Sequence, residues 1–82
     1  MSIDLFGIED QFTQEEAVNL LNSHVVKKGD EKKAKTSIQY IGFVAGVLTL
    51  NDEIEVVIKF PNKLLQLTKI AFKSKYLLID MP

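Results

Sequence analysis

Residues 36–60 have the sequence TSIQYIGFVAGVLTLNDEIEVVIKF, and the fold prediction depends mainly on this segment. Most of its residues are β-branched, aromatic or aliphatic, a composition typical of strands. From Glu53 to Phe60 the apolar residues at 54, 56, 58 and 60 alternate with charged residues at 53, 55 and 59, and this period of two predicts a half-buried antiparallel strand. Asn51 and Asp52 separate this strand from the apolar run before it and predict a tight turn. The segment therefore predicts a β-hairpin.

A helix is predicted ahead of this segment, over residues 14–27. Thr13 and Glu16 have the spacing of a capping box, in which each side chain accepts a hydrogen bond from the other residue's backbone N–H. Gly29 follows the predicted helix and would end it. One face of the helix carries apolar residues at helical spacing: Ala17, Val18, Leu21 and Val25.

The remaining elements complete a small α+β fold. Residues 29–35 predict an exposed loop and residues 76–79 a short strand, whereas residues 63–72 match the periods of both a helix and a strand. We therefore predict the α+β class, with the N-terminal helix packed on an antiparallel sheet of three to four strands or a small curled barrel. The predicted core consists of Ala17, Val18, Leu21, Val25, Ile38, Tyr40, Val44, Leu48, Ile54, Val56, Ile58, Phe60, Leu67, Ile70 and Leu78.

The length of 82 residues favours a single domain. We predict one domain over residues 1–82, in which residues 1–12 form a docking segment or an arm packed on the domain. The sequence contains no cysteine, which excludes disulfides and thiolate metal sites as reinforcement. Because a domain this small has a limited core, we expect a partner surface to supply additional stability.

No arrangement of residues in the sequence points to enzyme chemistry. The four glycines form neither a phosphate-binding loop nor a dinucleotide fingerprint, and no serine lies in a strand–turn–helix nucleophile pattern. His24 is the one histidine in the sequence, and its place near the end of the predicted helix favours a structural role over metal binding. We therefore expect a non-catalytic protein without metal or cofactor.

The apolar segments do not have the length of membrane-spanning ones. The longest apolar stretch, from Ile38 to Leu50, is too short for a helix that crosses a bilayer, which needs roughly 20 residues. The first residues lack the basic region of a signal peptide, and Asp4 interrupts their apolar run. We expect a cytoplasmic protein that makes no contact with a membrane.

Residues 2–6 carry a short motif, Ser-Ile-Asp-Leu-Phe. It resembles the peptide through which bacterial replication and repair proteins dock onto the DNA sliding clamp, whose pattern is Gln-Leu-Ser/Asp-Leu-Phe. The motif has serine where the pattern has glutamine. The residues that fit the pattern are Ile3, Asp4, Leu5 and Phe6. As one alternative function, the resemblance implies a clamp-docking protein that inserts Leu5 and Phe6 into an apolar pocket.

Charge is segregated along the chain although the net charge is −1. Residues 1–26 contain five acidic residues and no lysine, whereas residues 27–35 and the segment from Lys59 onward are rich in lysine. Arginine is absent, which weakens the case for base-specific reading of DNA. A second alternative function is a small nucleic-acid-binding β module. Its candidate phosphate-contacting residues are Lys27, Lys28, Lys32, Lys33, Lys35, Lys69, Lys73 and Lys75.

The function that the sequence favours is protein binding. Residues 38–48 are apolar on both faces of a predicted strand, and a single helix can cover one face. We expect a small regulator or inhibitor that occupies the surface of a partner protein of unknown identity and that forms a homodimer. Besides the N-terminal motif, Phe43 and Val47 are the candidate contact residues. Small size, lysine-only basicity and the lack of housekeeping motifs would suit a phage or mobile-element protein.

Overall fold

The computed structural model describes residues 10–80, which form three α-helices and five strands. In chain order the elements are α1 (Gln14–Leu20), β1 (His24–Lys27), α2 (Glu31–Ala34), β2 (Ile41–Leu50), β3 (Glu53–Phe60), β4 (Lys63–Leu67), α3 (Lys69–Lys75) and β5 (Tyr76–Ile79). A 3-10 turn at Ile38–Tyr40 leads into β2. The α+β class predicted from the sequence is confirmed.

The five strands form one antiparallel sheet in the order β4-β3-β2-β1-β5. Within residues 10–80, β4 and β5 are the two edges, so the sheet is open and does not close into a curled barrel. We predicted three to four strands, and the sheet has five. The additional strand is β1, which residues 24–27 form where the sequence predicted a helix.

The predicted helix over residues 14–27 is correct at its beginning. The capping box is present: Thr13 Oγ1 accepts the N–H of Glu16 at 3.1 Å, and Glu16 Oε1 accepts the N–H of Thr13 at 2.9 Å. The helix ends at Leu20. Asn22 then adopts a φ of 69°, which lies outside the right-handed helical region.

The second half of the predicted helix is wrong, since it forms β1 between β2 and β5. Val25 is buried on one face of the sheet and Val26 on the other. Two consecutive buried β-branched residues are typical of an inner strand, where both faces are covered. His24 therefore begins a strand instead of ending a helix.

The hairpin that the sequence predicted is confirmed. Asn51 and Asp52 join β2 to β3 with φ values of 49° and 67°. Two consecutive positive φ values give the turn the twist of the flanking strands, and asparagine and aspartate tolerate them better than most residues. Near the other end of the hairpin, a β-bulge shifts the register between Val44 and Gly46.

The ambiguous segment over residues 63–72 contains both a strand and a helix. β4 ends at Leu67, and the Thr68 hydroxyl then caps α3 by accepting the N–H of Ala71 at 3.3 Å. The predicted exposed loop over residues 29–35 contains the single turn α2, which has no buried residue.

The hydrophobic core lies between one face of the sheet and helices α1 and α3. Its buried members are Phe12, Ala17, Leu20, Val25, Val44, Val56, Ile58, Phe60, Phe72 and Tyr76. Some predicted core residues are more than one-third exposed instead: Val18, Leu21, Ile38, Leu48, Ile70 and Leu78. Val18 lies on the exposed side of α1, whose buried residues are Ala17 and Leu20, Leu21 follows the end of this helix, and Ile38 precedes the sheet. Tyr40 is half-buried.

Candidate protein-binding face

The two faces of the sheet differ in what covers them. The face with Val44 and Ile58 packs against α1 and α3 and holds the core; it is called the helix face below. The opposite face carries Phe43 beside Lys59, and none of the described helices packs on it along β3 and β4. This second surface is called the open face. On β2, β3 and β4 it comprises Phe43, Leu48, Leu50, Glu53, Glu55, Val57, Lys59, Leu64 and Gln66.

The bulge decides which β2 residues reach the open face. Without it, Phe43 and Val47 would share a face, because side chains alternate and the two are four residues apart. The extra residue in β2 reverses the alternation, so Phe43 pairs with Lys59 on the open face while Val47 pairs with Val56 on the helix face. Val47 packs against the core. Of the two candidate contact residues on β2, Phe43 therefore belongs to the open face and Val47 does not.

The same reversal moves Leu48 from its predicted core position to the open face. Leu48 is 38% exposed and Phe43 is 37% exposed. Val57 and Leu64 also lie on the open face, although neither was predicted from the sequence as a contact residue. A signal for Val57 was present, since it occupies a position that the alternation of β3 otherwise gives to charged residues. The bulge itself leaves no such signal beyond the glycine at position 46.

Charged and polar side chains lie among the apolar side chains of the open face. Glu55 Oε1 accepts a hydrogen bond from Gln66 Nε2 at 2.9 Å. Lys59 Nζ donates to the carbonyl of Phe60 at 2.8 Å. The ring of His24 lies 6.4 Å from that of Phe43. Charged and apolar side chains are therefore interspersed on this face, since Lys59 lies between Phe43 on β2 and Leu64 on β4.

A groove of about 400 Å³ continues this face towards β5. Its floor is apolar, formed by Val26, Ile41 and Ile79, and Ala34 of α2 forms one wall. Glu31, Lys35 and Asp80 stand at its rim. The open face therefore combines a flat part on β2, β3 and β4 with a concave corner beneath α2.

The candidate phosphate-contacting lysines lie in three environments. Those of residues 27–35 are exposed around α2. Lys28 Nζ donates to the carbonyl of Lys73 at 2.9 Å, which brings that segment next to the end of α3, where Lys75 is also exposed. Lys69 is 2% exposed and pairs with Glu16. Burial in an ion pair removes Lys69 from the lysines able to contact phosphate.

A polar cleft of about 270 Å³ lies beside this lysine cluster. Lys27, Asp30, Lys63 and Tyr76 are among the residues that line it. Burial raises the pKa of Tyr76 above its ordinary value, and the nearby carboxylate of Asp30 raises it further.

The N-terminal candidates Ile3, Asp4, Leu5 and Phe6 lie outside the described residues. Of the predicted segment over residues 1–12, Phe12 is buried in the core, with its ring centroid 6.1 Å from that of Phe72. Within residues 10–80, no helix is both long and apolar enough to cross a membrane. Comparisons with protein-family models, curated proteins and solved structures found no significant match.

Proposed function

We propose that this protein is a non-catalytic protein-binding module, a small regulator or inhibitor that acts by covering a partner surface with its open face. The observation that carries the proposal is the exposure of Phe43 and Leu48 on a sheet face that no described helix covers along β3 and β4. An antiparallel sheet with one solvated face normally carries polar residues there. Apolar residues in these positions are typical of a binding surface.

Burial of the exposed apolar side chains of this face supports its use in a complex. Removing apolar surface from water contributes about 25 cal/mol per Å², and a stable interface takes about 800 Å² from each partner. Phe43 is the expected anchor, because large aromatic side chains at the centre of an interface contribute most of its binding energy. The proposed site of action is the cytoplasm, where a chain without cysteine does not depend on disulfide formation.

A second candidate function is nucleic-acid binding through the lysines around Lys28 and Lys73, which the hydrogen bond between these residues brings together. Phosphate contacts weaken steeply as salt rises. Binding of single- or double-stranded oligonucleotides at low salt, with loss in the Lys28→Glu variant and none in Phe43→Glu, would favour this alternative. The cluster includes Asp30 and Glu31, which makes it a weaker polyanion site than the lysines alone suggest.

The protein-binding proposal is tested by capture from a cell extract with immobilised wild type and two single variants, Phe43→Glu and Leu48→Lys. Each new charge lies opposite a residue of the other sign, Lys59 or Glu55, so both variants should keep the fold. We expect both to lose the partner that the wild type retains.

The matched control is Ile70→Lys, which places a charge on an exposed apolar residue of α3, away from the open face. It should retain the partner. If the captured protein, whatever it is, remains bound to both open-face variants, the proposal is wrong. Equal loss in the control would contradict it as well, because binding would then not depend on this face.

A further inference from the structure

The open face carries a charge pattern that is complementary to itself. Four residues of β3 point to this face: Glu53, Glu55, Val57 and Lys59. Carboxylates therefore stand at one end of the strand, an apolar side chain in the middle and an ammonium group at the other end. Glu55 and Lys59 lie four residues apart, about 13 Å along a strand, which is too far for an ion pair within one chain. A second copy of the strand that runs in the opposite direction would place its Lys59 opposite Glu55 of the first copy, and its Glu55 opposite Lys59.

We infer that the partner of the open face is a second copy of this chain, an inference that rests on the proposed function. The two sheets stack face to face, about 10 Å apart. A two-fold axis runs between them, perpendicular to the strands, and passes over the Gly46–Val57 pair. Such closed two-fold symmetry is the commonest among homo-oligomers.

The register of the hairpin fixes what this axis brings together. The Gly46–Val57 pair lies between the Phe43–Lys59 pair and the Leu48–Glu55 pair, so rotation exchanges the two flanking pairs. Lys59 then faces Glu55 of the second copy, and the symmetric ion pair forms on the other side of the axis. Phe43 packs against Leu48 of the second copy, again twice. Both ionic and apolar contacts are therefore satisfied by one operation.

The opposite alignment of the sheets is unfavourable. An axis parallel to β3 would place Glu55 over Glu55 and Lys59 over Lys59, and such like-charge contacts are strongly repulsive in an interface. Gly46 also suits the perpendicular axis. The nearest atom to a Cβ added there is Val57 Cβ at 4.0 Å. Glycine has no side chain that projects from the middle of the face, so the two sheets can approach each other there.

The hydrogen bonds already present leave capacity for these ion pairs. Glu55 uses Oε1 for Gln66, and a carboxylate has a second oxygen. Lys59 uses one donor for the carbonyl of Phe60, and an ammonium group has three. Association therefore adds contacts at both residues without breaking the existing ones.

The test is charge reversal followed by sedimentation analysis of the full chain. The variants Glu55→Lys and Lys59→Glu each place like charges together across the axis, and we expect each to raise the dimer dissociation constant at least about 100-fold. Glu15→Lys and Lys75→Glu change the net charge by the same amounts at exposed positions on α1 and α3. These control variants should dimerise like the wild type.

A mixture of the two reversed chains separates the inference from a loss of folding. The Glu55→Lys chain has lysine at both positions 55 and 59, and the Lys59→Glu chain has glutamate at both. In a heterodimer of the two chains, each of these lysines therefore faces one of these glutamates. Unlike charges then meet at both ion pairs, so an equimolar mixture should form one-to-one heterodimers. The double variant Glu55→Lys/Lys59→Glu should dimerise on its own, since it exchanges the two charges of each pair.

Two results would overturn the inference: a wild type that stays monomeric at every concentration, or a dimer that neither reversal weakens. A monomeric wild type would leave the face to another protein or to residues 1–9 of the same chain. If Phe43→Glu still abolished capture of another protein from extract, the proposed function would stand and the second copy alone would be excluded.

Discussion

Lys69 Nζ lies 3.1 Å from Glu16 Oε2 and 3.2 Å from Oε1, in an ion pair that joins α3 to α1. The lysine side chain is 2% exposed and the glutamate side chain 11%. The same carboxylate accepts the N–H of Thr13 in the capping box. One side chain therefore both caps a helix and neutralises a buried cation, which couples the start of α1 to the packing of the two helices.

Loss of the buried ammonium group should destabilise the fold. Lys69→Met removes the ammonium group that neutralises the largely buried Glu16 carboxylate, and we expect the free energy of unfolding to fall by about 3 kcal/mol. The measurement is chemical denaturation followed by circular dichroism at one protein concentration. Lys32→Met, at an exposed position, should change stability by less than about 0.5 kcal/mol. Adding Glu16→Gln to Lys69→Met should recover part of the loss, because the buried carboxylate is then removed together with the ammonium group that neutralised it.

The capping hydroxyl of Thr13 should have a measurable effect of its own. Thr13→Ala removes the acceptor for the Glu16 N–H and should lower the free energy of unfolding by about 1 kcal/mol. Thr13→Ser keeps the hydroxyl and serves as the control. Equal stability of the alanine and serine variants would show that the cap does not contribute.

The two glycines of β2 should respond differently to alanine. A Cβ at Gly42 would lie 2.9 Å from Ile58 Cγ2 and 3.0 Å from two ring carbons of Phe60, on the helix face where the core cannot easily give way. We expect Gly42→Ala to lower the free energy of unfolding by about 1–3 kcal/mol. Gly46→Ala meets no atom closer than 4.0 Å and should be tolerated. Equal effects in denaturation experiments would contradict the assignment of these positions to different faces.

Tyr76 should make stability fall at alkaline pH. Its pKa is raised in the folded chain by burial and then by Asp30, whereas an unfolded tyrosine ionises near about pH 10. Below that pH the phenol is neutral in both states, and the stabilisation that it contributes is fully present. Above it, the unfolded state releases its proton first, so the free energy of unfolding declines as pH rises through the folded pKa. Between pH 9 and 11, Tyr76→Phe should lose less stability than the wild type. Identical pH profiles would refute this role.

The parts of the fold that local sequence determines were predictable. The capping box at Thr13 and Glu16 and the turn at Asn51 and Asp52 depend on neighbouring residues, and both are present. Residues 24–27 were not predictable in the same way, because Val25 matched a helical period while its strand conformation depends on pairing with β2 and β5. Such tertiary pairing overrides local preference.

The candidate site was predictable only in part, for a related reason. An apolar segment with too many residues for one face indicated an exposed apolar surface, and Phe43 belongs to the open face. The bulge in β2 reverses the facing of every residue after it. A glycine in a strand is typical of a bend or bulge, but it does not indicate which way the residues after it face. Val47 and Leu48 were therefore each assigned to the wrong face of the sheet.

In the inferred dimer, the open face meets the same face of a second copy near Val57. Because the sequence contains no cysteine, a single introduced thiol reports on one position alone. The measurement is treatment of Val57→Cys and, as control, Ile70→Cys with a short bis-maleimide, followed by denaturing electrophoresis. The inferred axis places the two thiols introduced at position 57 opposite each other, so we predict a covalent dimer from Val57→Cys and little from Ile70→Cys. Absence of the Val57→Cys dimer, or equal cross-linking of both variants, would contradict the claim.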